Sequence, residues 1–292
     1  MLFRGSIAAI ALVAAVSTTW VAARAYDVAP YPDLSGMWRR VPVPGVTGQP
    51  GYDQTKIQGR AQEAPLTAEY RAIFEASLKD LAEGGQGNDP TFNCTSPGMP
   101  RIMTVYDPME IVVTPQSTHI LIEHIHDSRR IYTDGRDWPE FFEPTYAGFS
   151  IGKWSDTDGD GRYDLLEVET RGFKGPRSFD ATGLPLHFDN ESVIKERIYL
   201  DKTDPNLLYD EITTIDHALT RPWTVLKKFH REQPKYPVWG EAICQEGNSH
   251  VGVGKEVYYL SADGLLMPAK KGQAPPDLRY FKTPNQNTAK VQ

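Results

Sequence analysis

The sequence predicts an all-β protein built around a closed antiparallel barrel, and three observations carry that prediction. From about Met109 onward, strand-length runs follow one another, among them M-E-I-V-V-T, H-I-L-I-E-H-I-H, R-R-I-Y-T and V-I-K-E-R-I-Y-L. Most links between them are short and rich in Gly, Pro and Asp, which suits hairpins. No helix-length periodic segment interrupts them, which argues against βαβ units. About eight to ten such strands in a meander close into a barrel because closure removes exposed edges. A β-sandwich of the same strands is the alternative.

The chain before the barrel divides by composition. Arg4, the short apolar run Ile7 to Val16 and the small-x-small site Ala23-Arg24-Ala25 read as an export leader over 1–25. The apolar run is too short to span a bilayer, and no later segment is long enough to try. The mature chain is therefore expected to be periplasmic or secreted, without membrane insertion. Residues 26–108 form an irregular arm with one helix over about 66–82, where Leu66, Tyr70, Ile73, Phe74, Leu78 and Leu81 recur at helical spacing. Within the arm, D-L-S-G-M-W-R-R at 33–40 reads as a strand closing a barrel of residues 109–270, leaving 271–292 as a tail.

Charge excludes one class of partner. The formal charge is −7, and losing Arg4 and Arg24 with the leader removes two further positive charges. No basic cluster exceeds Lys227-Lys228 or Lys270-Lys271, which argues against nucleic acid or an anionic membrane. Cys94 and Cys244 are the only cysteines. In an oxidising compartment they have one possible bridge, with two free thiols as the alternative.

The motifs D-L-S-G-M-W, C-T-S-P-G-M-P-R, R-R-I-Y-T-D-G-R, G-F-S-I-G-K-W and E-V-E-T-R-G-F resemble a family of secreted bacterial proteins of unsettled function. The Gly36-x-Trp38 pair is similar to the strand that closes the base of lipocalin-like (calycin) β-barrels. The resemblance implies a barrel and export rather than a reaction. Relatives turn tightly after S-I-G-x-W, whereas here an acidic loop enlarges the turn.

That loop concentrates carboxylates. Asp156, Asp158 and Asp160 stand at spacing two, Gly161 follows, and Asp164 comes next. The pattern fits positions 1, 3, 5, 6 and 9 of a calcium loop, with the Arg162 carbonyl at position 7. Alternate side chains converge as the chain curls around a hard cation. Glu167 falls on position 12, but on a strand it lies about 10 Å beyond Asp164. Calcium in a structural role is expected here, and no organic cofactor. The alternative is a polar hairpin of turn-forming residues.

Elsewhere the chemistry is less specific. Period-2 faces put an ionisable group inside whichever way H-I-L-I-E-H-I-H is turned, and Glu123 then needs a partner, Arg130 being one candidate. Taking the apolar row of V-I-K-E-R-I-Y-L inside buries Glu196 among aliphatics. His187 and His217 sit in loops, where a His can act as acid or base near neutral pH. The aromatics Tyr132, Trp138, Phe149 and Trp154 are expected to line a ligand pocket, with barrel packing as the alternative.

Two functions remain open from sequence. The first is an exported binder of a small amphipathic or aromatic molecule in a barrel cavity. The second is an exported acid/base enzyme, a lyase, isomerase or hydrolase. It would use Glu123 or Glu196 with His187 or His217 on a small organic substrate held by Arg130.

Overall fold

A computed structural model describes residues 27–41, 63–85, 87–105, 107–123, 127–189, 191–236, 238–240, 250–253, 256–260 and 265–275. The expected leader lies outside these residues. Nine strands form a closed barrel in chain order. They are β1 (Met37–Arg40), β2 (Met109–Val113), β3 (Ser117–Ile122), β4 (Asp127–Tyr132), β5 (Phe149–Ser155), β6 (Leu165–Arg171), β7 (Val193–Leu200), β8 (Leu207–Ile215) and β9 (Trp223–Glu232). The all-β, lipocalin-like barrel read from the sequence is the architecture observed.

Two features differ from expectation. The β4–β5 pair is parallel, through Ile131 opposite Ser150 and Tyr132 opposite Ile151. The long segment 133–148 makes this possible, because a parallel pair needs a crossover of a dozen or more residues. The barrel also ends at β9. The strands β10 (His250–Val253), β11 (Glu256–Leu260) and β12 (Leu266–Pro268) form a separate three-stranded sheet, so the barrel stops short of the expected residue 270.

Closure falls to β1, which pairs antiparallel with both β2 and β9. Trp38 is fully buried and its indole N–H donates to the Leu34 carbonyl at 2.9 Å. The Arg231 guanidinium lies 4.6 Å over the Trp38 ring. It also donates to the Asp33 carboxylate at 2.9 Å and the Ser35 carbonyl at 3.0 Å, so one cation fixes the chain entering the barrel.

The inward rows alternate as period-2 reading requires. On β7 they are Ile194, Glu196 and Ile198; on β8, Leu208, Asp210, Ile212 and Thr214; on β9, Trp223, Val225, Lys227 and Phe229. Gly152 faces in on β5, where a Cβ would lie 2.6 Å from the Ile131 side chain, so the glycine of S-I-G-K-W lets neighbouring strands fill the interior.

Strand directions set two ends apart. The 156–164 and 201–206 links share one end with the start of β1. The 172–192 and 216–222 links share the other. At the second end Phe173, Phe179, Leu184 and Leu186 are buried, and Phe179 packs on Trp223 at 4.8 Å. The helix α1 (Ala68–Ala82) is tied to the same end: Thr67 N–H donates to the Ala218 carbonyl at 2.9 Å, and Ser77 Oγ to the Thr182 carbonyl at 3.2 Å. Its buried residues are Tyr70 and Ser77, whereas Ile73 and Leu78 of the expected apolar face are exposed.

A polar belt crosses the interior. Arg129 Nη1 donates to Glu196 Oε1 at 2.7 Å, and its Nη2 donates to Glu196 Oε2 and, at 2.8 Å, to Thr170 Oγ1. Ser150 and Thr170 share a hydroxyl hydrogen bond of 2.8 Å. Asp210 and Lys227 face each other across β8 and β9. Among the described residues, neither oxygen of Asp210 has a hydrogen-bond partner. Burial, and then the Glu196 charge, push the Asp210 carboxyl well above the usual carboxylate range, while Arg129 and Lys227 pull it down.

Two predictions follow from the belt. Glu196→Leu strands a buried guanidinium and is expected to cost about 3–5 kcal/mol, whereas Arg129→Met/Glu196→Leu recovers most of that loss in urea unfolding. A double variant as unstable as the single one means the pair contributes more than charge balance. Asp210 holds its proton more tightly folded than unfolded, so stability falls as pH rises above about 4 toward its folded pKa. Asp210→Asn removes that fall, and its urea midpoint should gain on the wild type between pH 4 and pH 8. A pH-independent difference contradicts the raised pKa.

Candidate functional site

Charged and aromatic side chains gather at both ends of the barrel. At the first end the acidic loop joins β5 to β6. Asp156 accepts from the amides of Gly159 at 2.7 Å and Gly161 at 2.9 Å, and Asp160 from the amide of Arg162 at 2.8 Å. Gly159 and Gly161 have φ of +78° and +88°, the conformation that curls the chain back. One carboxylate oxygen each from Asp156, Asp158 and Asp160 comes within 4.8 Å of the others.

The remaining expected ligands divide. Asp164 accepts from the Thr157 amide at 2.9 Å and from its hydroxyl at 2.5 Å. Burial raises the Asp164 carboxyl, but these bonds and Lys202 outweigh it and hold the group below its usual range. Arg162 continues the loop. Glu167 stands on β6 between Lys153 and Arg197, away from the loop carboxylates.

Beside this loop lies an open cleft of about 730 Å³. Asp158, Asp160, Asp164, Tyr199, Lys202 and Tyr209 line it together with Asp33 and Arg231, and Lys202 Nζ donates to Asp158 Oδ2 at 3.4 Å. Tyr199 and Tyr209 stack at 5.3 Å between ring centres. Their hydroxyls are held by Glu211 at 2.8 Å and by Asp201 at 3.1 Å. Burial and the Glu211 hydrogen bond push the Tyr199 phenol up to about 12. The Asp201 carboxyl falls to about 2 because Thr203 donates its hydroxyl and amide.

At the other end His187 and Asp189 lie in the β6–β7 link, and His217 in the β8–β9 link. Asp189 Oδ2 is 3.0 Å from His187 Nδ1 and also meets His217 Nδ1. The hydrogen bond to Asp189, and then its charge, raise the His217 pKa. For Asp189, burial acts upward, but the Glu191 amide and the two histidines hold its carboxyl below the usual range. The Tyr70 ring sits 5.5 Å from that of His187.

Several sequence-selected residues do not converge. Glu123 sits half-buried in the β3–β4 link, its amide donating to the Pro108 carbonyl at 3.1 Å, while Arg130 is exposed on β4. The enclosed carboxylate–guanidinium pair is Glu196 with Arg129, one residue earlier than the expected arginine. Tyr132, Trp138 and Phe149 cluster with Phe142 on the outward side of β4 and β5, with centroids 5.1–6.4 Å apart. Trp154 instead faces inward, packs edge-on to Tyr31 at 5.6 Å and donates to Thr118 Oγ1 at 3.3 Å. These four aromatics therefore do not share a pocket. Cys94 is not a free thiol, and Cys244 lies outside the described residues, as do His124 and His126.

Three groups escaped sequence reading. Asp189 stands two residues beyond His187 in H-F-D, a pattern legible once the histidine is singled out. Tyr199 and Tyr209 meet only because the L-D-K-T-D-P-N-L turn sets the β7–β8 register. Asp210 and Lys227 are isolated charges in apolar rows, and the same parity argument that found Glu196 reaches them. No protein-family model matches the chain, and no curated protein matches it by sequence.

Proposed function

We propose that the protein is an exported, non-catalytic binder of a small amphipathic molecule, taken up in the cleft beside the acidic loop. The observation that carries this reading is the 730 Å³ cleft lined both by stacked tyrosines and by a row of carboxylates. Tyrosine faces suit a flat or apolar portion of a ligand, and the acidic loop, with the cation it is proposed to hold, suits a polyhydroxylated end. The barrel interior supports this reading less, because Trp154, Ile120, Ile131, Ile194 and Ile212 and the charged belt occupy it. Acid/base catalysis through Glu196 has weaker support, since its side chain is fully enclosed and both of its oxygens are bonded to Arg129.

Calcium is proposed as the organiser of the loop, held by Asp156, Asp158 and Asp160 with the Arg162 carbonyl. Asp164 would act through water, because its own oxygens are engaged by Thr157. Export and a Cys94–Cys244 bridge belong to the same proposal and rest on the leader and on the even cysteine count.

Native mass spectrometry on periplasmic protein, prepared without chelator, tests the whole reading. The expected result is an increment of about 38 Da, one calcium replacing two protons, plus an organic mass that dissociates on activation. Tyr199→Ala/Tyr209→Ala should lose the organic mass and keep the calcium. Retention of the organic mass by that variant would place the ligand elsewhere. Asp156→Asn/Asp160→Asn should remove about 1.4–2.7 kcal/mol of stability at calcium ten to a hundred times its Kd, and almost none in chelator. An equal loss under both conditions rules out the calcium role.

A further inference from the structure

We propose that His187, Asp189 and His217 form a binding site for one divalent transition metal, zinc being the fitting ion, at the barrel end opposite the acidic loop. The residues come from two neighbouring links, and their ligating atoms already lie within 4.8 Å of one another. Tetrahedral zinc with bonds of about 2.0–2.2 Å places its ligand atoms about 3.3 Å apart. His187 Nδ1 and Asp189 Oδ2 stand at 3.0 Å, so modest side-chain shifts admit the ion.

The contacts within the triad converge on one carboxylate. His187 Nδ1 lies 3.1 Å from the Asp189 amide and 3.0 Å from Asp189 Oδ2, and the same oxygen meets His217 Nδ1. Both imidazoles thus direct a ring nitrogen at one carboxylate oxygen. A metal ion takes an electron pair from all three groups at once, in place of the protons that otherwise bridge them, and the amide contact gives way.

The site is also built from behind. Asp216 Oδ1 accepts from the His187 amide at 2.9 Å and from the Ala218 amide at 2.7 Å, while its Oδ2 accepts from Ser192. Arg177 donates to the His187 carbonyl at 2.8 Å and to Ser192 Oγ at 2.6 Å. One buried carboxylate thus holds the backbone at His187 and just after His217, the kind of support that fixes metal ligands. Asp216 and Arg177 are positioning residues and do not ligate.

Ligand chemistry selects the ion. Two imidazoles with one carboxylate suit zinc, copper or nickel, whereas calcium and magnesium require oxygen donors. The His217 side chain is 63% exposed, so three protein ligands leave an outward position for water or a small ligand atom. The bland alternative is a His–Asp–His hydrogen-bond network that only ties the two links together.

The test uses the purified full-length protein, stripped with chelator and dialysed, with zinc chloride as the probe. Calorimetry should give one zinc per chain, and cobalt should produce the intense visible absorption of a tetrahedral site. His217→Ala, at an exposed position, should fold normally and bind zinc at least tenfold more weakly, as should Asp189→Asn. Asp156→Asn/Asp160→Asn should leave zinc binding unchanged. Absence of zinc binding, equal binding by His217→Ala, or loss on changing the acidic loop instead would each overturn the assignment.

Discussion

A guanidinium enclosed in a barrel needs its counter-charge at hydrogen-bond distance, and Arg129 finds it in Glu196. Removing each ion from water costs several kcal/mol, so only a narrow set of strand positions tolerates the pair. Six successive strands meet that condition by sending Arg129, Ser150, Thr170, Glu196, Asp210 and Lys227 into one staggered belt. A one-residue slip of β7 would turn Lys195 or Arg197 inward toward Arg129, like charge against like. The belt therefore constrains register more strongly than an aliphatic row would, since interchangeable aliphatics tolerate sliding. Trp38 and Arg231 add the closing constraint where β1 meets β9.

A core held in this way has consequences for where chemistry can lie. Its enclosed guanidinium is bonded to Glu196, and its apolar level is filled by isoleucines, tryptophans and apolar residues of the 173–186 segment. Recognition is then left to the links between strands, which a rigid barrel can hold in place. The β5–β6 and β7–β8 links, with Tyr199 and Tyr209 on the adjoining ends of β7 and β8, build the tyrosine-and-carboxylate cleft, and the β6–β7 and β8–β9 links bring two histidines to one aspartate. Antiparallel connection explains this division, because alternate links of a meander fall at the same end.

Much of this was legible in the sequence, for identifiable reasons. Alternation in V-I-K-E-R-I-Y-L put Glu196 inside, and a short-range period suffices for that. The same reasoning misplaced Glu123, because β3 ends at Ile122 and a residue in a link has no strand parity. It chose Arg130 over Arg129 because R-R offers both parities and only the pairing of β4 with β3 and β5 decides. The parallel β4–β5 pair left no local trace beyond the length of 133–148. The aromatic residues between 132 and 154 looked like one set by proximity in sequence, yet adjacent positions on a strand face opposite ways, so Phe149 and Trp154 part.

The two ends also differ in how their ligating groups are held, and this bears on what each can bind. In the acidic loop the carboxylates brace their own exposed backbone, Asp156 on Gly159 and Gly161, Asp160 on Arg162. A cation arriving there must compete with those amides and with water, which suits the weak binding of exported calcium modules. At the histidine end the bracing is done by Asp216, Ser192 and Arg177, which lie behind the triad and are themselves buried. There an ion displaces only the Asp189 amide from His187 Nδ1, and the bonds of Asp216, Ser192 and Arg177 stay in place. Less is lost on binding when the support is separate from the ligands. The barrel thus offers an acidic loop shaped largely by its own carboxylates and a nitrogen-bearing triad shaped by its surroundings. The second arrangement is the one that favours tight, selective coordination.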